Sequence, residues 1–86
     1  MKMIIVIIKD HWRDALTGAL TDGHYRVTGI ASTGGFMRSG VATLLIGVED
    51  EQVDTAIGLI RTTVGTGVGE KQGTLFVVPV ARFEQV

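Results

Sequence analysis

Eighty-six residues make one domain, and a chain this short buries only about 60–65% of its unfolded surface, so a single core gives modest stability. Cysteine is absent, which excludes disulfides, thiolate zinc sites and cysteine nucleophiles and suits a reducing cytoplasm. Eight basic against nine acidic residues leave a net charge of -1, which gives no electrostatic case for a nucleic-acid polymer or an anionic membrane as partner.

Met3, Ile4, Ile5, Val6, Ile7 and Ile8 are apolar at every position, mostly β-branched, and are followed at once by Lys9 and Asp10. The run is too short to cross a membrane and lacks the cleavage pattern of a secretory signal. It reads as a central strand with both faces buried. Asp10 is placed to cap the helix that follows, where Trp12, Ala15, Leu16, Ala19 and Leu20 form one apolar stripe. Asp22 and Gly23 end it, Gly23 suiting a left-handed cap.

Residues 25–32 alternate as a strand, Tyr25 and Val27 pointing one way, Arg26 and Thr28 the other. A glycine-rich connection, Thr33-Gly34-Gly35-Phe36-Met37-Arg38-Ser39-Gly40, is too long for a minimal hairpin turn. Residues 41–48 form the third strand, with only Thr43 and Gly47 relieving its apolar character. Glu49, Asp50 and Glu51 sit where acids favour a helix start. Val53, Ala56, Ile57, Ile60 and Val64 give the second helical stripe, with Arg61 in its last turn. A glycine-rich loop over 65–73 precedes the fourth strand, 74–80, and a short tail.

The order is βαββαβ, a ferredoxin-like α+β domain spanning residues 1–86. Two right-handed crossovers place both helices on one face of a four-stranded antiparallel sheet. The other face should then alternate apolar with polar, and the first and third strands do not. Such a face measures on the order of 400 Å², as large as the largest apolar patch a typical monomer exposes. A second copy of the chain is the expected cover.

The segment 33–40 is the least generic stretch. Adjacent glycines can converge backbone N–H groups on phosphate oxygens. Arg26, Arg38, Thr28 and Phe36 add charge, a hydroxyl and a flat surface for a base, the ingredients of a nucleotide pocket. The plain alternative is a hairpin loop with a solvated Arg38 and a Phe36 tucked on the core. Arg26, a charge borne on a strand, needs a partner; an ion pair with Asp22 or Asp50 is the structural alternative to a ligand.

The run Arg26-Val27-Thr28, the segment Thr33 to Gly40 and the stretch Leu45-Ile46-Gly47-Val48-Glu49-Asp50 together resemble the cyclic di-AMP receptor family of PII-like signalling proteins. The opening Met1-Lys2-Met3-Ile4, the pair Leu20-Thr21 with Asp22, and the closing Thr74-Leu75-Phe76-Val77-Val78-Pro79-Val80 with Phe83, Glu84 and Gln85 fit the same pattern. The resemblance implies a non-enzymatic homotrimer of ferredoxin-like subunits, with one cyclic dinucleotide in each inter-subunit cleft. Carried over residue by residue, it places Arg26 and Thr28 at the phosphate and sugar side of the ligand. Gly35, Phe36 and Met37 line the pocket, Met37 replacing a usual leucine. Gly47 contributes a backbone group, Phe76 packs near a base, and Gln85 hydrogen-bonds from the same or an adjacent subunit.

Two departures separate the chain from that pattern. Val41 stands where the family usually places an asparagine that reads an adenine edge, and an unmet polar edge costs about 1–3 kcal/mol, roughly one to two decades of affinity. The loop before the last strand, 64–73, is much shorter than is usual, which leaves the ligand less covered. The alternative reading is a PII-like trimer that has lost cyclic di-AMP and binds another adenine nucleotide such as ATP or ADP, or none. A protein target that reads the signal is implied but not identified.

Other readings fail on their chemistry. Gly65-Thr66-Gly67-Val68-Gly69 follows a helix instead of joining a strand to one, so it lacks the context of a phosphate fingerprint. His11 and His24 lie at opposite ends of one helix, without neighbours at metal-ligand spacing. An acylphosphatase-like enzyme needs a phosphate-cradling loop after the first strand and a water-orienting amide, and asparagine is absent. An RNA-recognition sheet needs exposed aromatics on its central strands, and a copper chaperone needs paired cysteines; neither is present.

Overall fold

β-branched side chains hold the first run extended, and β1 spans Lys2–Lys9 in the computed structural model, which describes residues 1–30, 40–65 and 73–86. A 3-10 turn over Asp10–Trp12 leads into α1, Arg13–Asp22. β2 is Arg26–Ile30 and β3 is Val41–Val48. A second 3-10 turn, Asp50–Gln52, leads into α2, Val53–Val64, and β4 is Gly73–Pro79. The strand order β2-β3-β1-β4 and three antiparallel pairings give the expected four-stranded ferredoxin-like sheet.

The two-residue period of the strands sorts the side chains. Ile4, Val6 and Ile8 of β1 lie opposite Ile46, Leu44 and Ala42 of β3, and all six are buried together with Val48. On the helices, the i, i+4 spacing brings Leu16 and Leu20 of α1 and Ala56 and Ile60 of α2 into the same cluster. Trp12, Tyr25, Val53, Ile57 and Val64 pack around its margin, while Ala15 of the expected first stripe is exposed. Burying each large aliphatic contributes about 1.5–3 kcal/mol, which is what fixes the strand register.

Gly73 has a steric role at the start of β4. It pairs with Ile8, and a Cβ there would run into the Ile7 carbonyl oxygen and lie 2.8 Å from Ile8 Cγ2. It therefore belongs to the strand and not to the preceding loop. β4 ends at Pro79, opposite Lys2, and β2 is described as a strand only over Arg26–Ile30.

The helix ends differ from expectation at Asp10 and at Gly23, and match it at Glu49. Lys9 occupies the cap position before the first turn without a side-chain bond, and the Asp10 carboxylate instead lies 3.4 Å from Arg13 Nη1. Gly23 has φ -80, and the left-handed residue is His24 at φ 68, with its N–H and that of Tyr25 bonded back to Thr21 and Leu20. A Cβ at 23 would sit 3.2 Å from the Tyr25 ring and 3.3 Å from Leu59 Cδ2, so any side chain there would press on both. Glu49 and Gln52 form a reciprocal capping box ahead of α2, with the Glu49 N–H donating to Gln52 Oε1 at 2.8 Å.

Candidate functional site

The face of the sheet away from the helices is ordered in rows that cross all four strands. Arg26, Gly47, Met3 and Val78 form one row; Thr28, Leu45, Ile5 and Phe76 the next; Ile30, Thr43, Ile7 and Thr74 the third. Seven of these positions are apolar, and none carries a helix above it. Phe76 is 51% exposed and Ile30 45% exposed. The strands thus bring an apolar surface and four polar side chains, Arg26, Thr28, Thr43 and Thr74, onto one face, with Arg26 and Thr28 on the edge strand β2.

Arg26 is exposed and its guanidinium has no ion-pair or hydrogen-bond partner among the described residues. The alternative to a ligand, an ion pair with Asp22 or Asp50, is not made. Asp50 is taken by the Met1 amine at 3.2 Å and by Lys2 Nζ at 3.3 Å. The hydrogen bond from that amine, then the bond and charge of Lys2, hold the Asp50 carboxyl below its ordinary range. Arg26 lies beside Gly47, where no heavy atom stands within 4 Å of a Cβ position, so the β3 backbone is bare next to the free cation.

The other expected ligand residues are scattered. Phe76 is three strand spacings from Thr28, about 14 Å. Val41, half-buried, is six residues along β3 from Gly47, about 20 Å away. Gln85 is exposed in the tail beyond β4. Gly35, Phe36 and Met37, with the rest of the glycine-rich connection, lie outside the described residues, as does 66–72 of the second loop. Arg26, Thr28 and Gly47 are gathered by one chain; Phe76, Val41 and Gln85 are not brought to them.

Val41 lines a cavity of about 260 Å³ together with Asp10, Arg13, Gly29, Ile30, Ala42 and Thr43. It lies at the Ile30–Thr43 rung, the last described pair of the β2–β3 ladder, beside the start of α1. Small residues, Gly29 and Ala42, make the space. The i, i+3 spacing of Asp10 and Arg13 on a helical turn was the sequence signal for their pairing, but their approach to the far end of β3 follows from the Asp10 N–H bonding to the Gly40 carbonyl at 2.7 Å. Among the described residues, no group of His, Asp or Glu could hold a metal ion, and no helix is long and apolar enough to cross a membrane.

A family model for the cyclic-di-AMP receptor matches residues 1–69. Among solved structures, the chain is similar to a functionally unknown protein from Pediococcus pentosaceus ATCC 25745, with a TM-score of 0.78 and 29% sequence identity. The likeness covers 99% of this chain and 96% of that one.

Proposed function

Because the chain belongs to the cyclic-di-AMP receptor family, we propose that it binds cyclic di-AMP without turning it over, in clefts between the subunits of a homotrimer. Each subunit is one domain over residues 1–86, working in the cytoplasm and passing ligand occupancy to a protein target. The observation that carries this reading is the division of the site. One chain offers Arg26, Thr28 and Gly47 on an apolar face, while Phe76 lies about 14 Å from Thr28 and Val41 about 20 Å from Gly47 along the sheet. A ligand meets both sets at close range when a second copy supplies one of them.

In that cleft Arg26, which has no partner among the described residues, neutralises phosphate charge and Thr28 bonds phosphate or sugar oxygens. Gly47 lets the ligand approach the β3 backbone. Phe76 of the neighbouring copy offers a flat apolar surface to a base, stacking worth about 1–3 kcal/mol. Gly35, Phe36 and Met37 line the pocket and Gln85 bonds its rim. Covering the apolar face and forming the site are then one event.

Val41 favours a second reading, in which the trimer holds ATP or ADP instead, since valine has neither donor nor acceptor for an adenine edge. Isothermal titration of the wild-type protein with cyclic di-AMP, ATP and ADP separates the two. Saturable heat with cyclic di-AMP supports the receptor, heat with ATP or ADP alone supports the second reading, and no heat at high micromolar ligand refutes both.

A further inference from the structure

An asparagine amide reads adenine because it sets a donor beside an acceptor, matching N7 and the N6 amino group. This chain has no asparagine anywhere. The cavity against Val41 nevertheless contains that same pattern built from two side chains. Arg13 Nη1 and Asp10 Oδ1 stand 3.4 Å apart on its wall, and Arg13 Nε is 3.6 Å from Asp14. These separations are too long for strong hydrogen bonds, so guanidinium donors and a carboxylate oxygen remain available to a ligand.

Ile30, Val41, Gly29 and Ala42 give the remaining wall an apolar character that suits the face of a purine.

We propose that the Asp10–Arg13 pair is the base-reading element of the ligand site, replacing the missing amide. This rests on the receptor reading above. Arg13 donates to N7 of adenine and Asp10 accepts from its N6 amino group. Guanine presents acceptors at both N7 and O6, so the Asp10 carboxylate repels it. Asp10 is thus the discriminator and Arg13 the anchor.

The test is a calorimetric titration of the full-length wild type, Arg13→Ala, Asp10→Ala and the double variant Asp10→Ala with Val41→Asn, each with cyclic di-AMP and with cyclic di-GMP. Both charged side chains are about half exposed, so the variants keep the wild-type melting curve. Arg13→Ala loses roughly 5- to 150-fold in cyclic di-AMP affinity. Asp10→Ala, leaving Arg13 free to fork onto guanine, shifts the preference towards cyclic di-GMP by about tenfold or more. Adding Val41→Asn restores the preference for cyclic di-AMP. Wild-type binding that neither Arg13→Ala nor Asp10→Ala changes overturns the role of the pair and leaves the receptor reading standing. A wild type that binds neither dinucleotide overturns both.

Discussion

Replacing Ile5 by aspartate puts a charge at the centre of the open sheet face, between Leu45 on β3 and Phe76 on β4. Its neighbours in sequence, Ile4 and Val6, point into the helix-covered core and are 0% and 1% exposed, so the fold of the single chain keeps its main support. Were the face in water, the substitution would cost only the β-propensity of aspartate in a central strand, up to about 1 kcal/mol. Under a neighbouring copy, each aspartate is desolvated without a partner at several kcal/mol, and a trimer meets that cost at every subunit. The apolar burial that isoleucine contributes there, up to about 1.5–3 kcal/mol, is lost as well. Sedimentation equilibrium should find Ile5→Asp dissociated at concentrations where the wild type is assembled, while circular dichroism still shows a folded α+β chain. An Ile5→Asp protein that sediments like the wild type would refute the claim that this face is covered by copies.

Arg26→Ala should leave the melting temperature within the shift expected for about 0.5 kcal/mol, because the guanidinium has no partner among the described residues, while calorimetry shows weaker cyclic di-AMP binding. Gly73→Ala should lower thermal stability by about 1–3 kcal/mol, or several degrees by calorimetric melting, because the new Cβ meets the Ile7 carbonyl and Ile8 in the β1–β4 ladder. Asp50→Asn removes an exposed carboxylate whose pKa is lowered by the Met1 amine and then by Lys2. A lowered folded-state pKa stabilises the fold above the unfolded value and ceases to do so as pH falls through the folded one. The variant should therefore melt slightly below the wild type at neutral pH, and the gap should close in acid and in high salt.

Much of the fold is legible because each layer leaves a periodic trace. Strand β1 is apolar on both faces, and the structure shows why: Ile4, Val6 and Ile8 face the helices, while Met3, Ile5 and Ile7 face the open side. Thr43 and Gly47, the two breaks in the apolar run of β3, both fall on that open side. Helix ends were harder to read. Gly23 looks like a left-handed cap, but it has φ -80 and His24 takes the positive φ instead, held by the turn bonds of His24 and Tyr25 back to Thr21 and Leu20.

The ligand residues were only partly legible for a related reason. Arg26, Thr28 and Gly47 are close in register on paired strands, so alternation alone gathers them. Asp10 and Arg13 reach the Val41 cavity through the meeting of the α1 start with the far end of β3, a contact between segments some 30 residues apart in sequence, fixed by the bond from Asp10 to Gly40. No local pattern announces such a meeting.

Multi-angle light scattering on the wild-type chain, diluted stepwise, weighs the particle directly. A mass of three chains that persists on dilution is the outcome expected if neighbouring copies bury the row of Leu45, Ile5 and Phe76. A folded particle with the mass of one chain would leave that row in water, and with it the clefts in which the ligand is held.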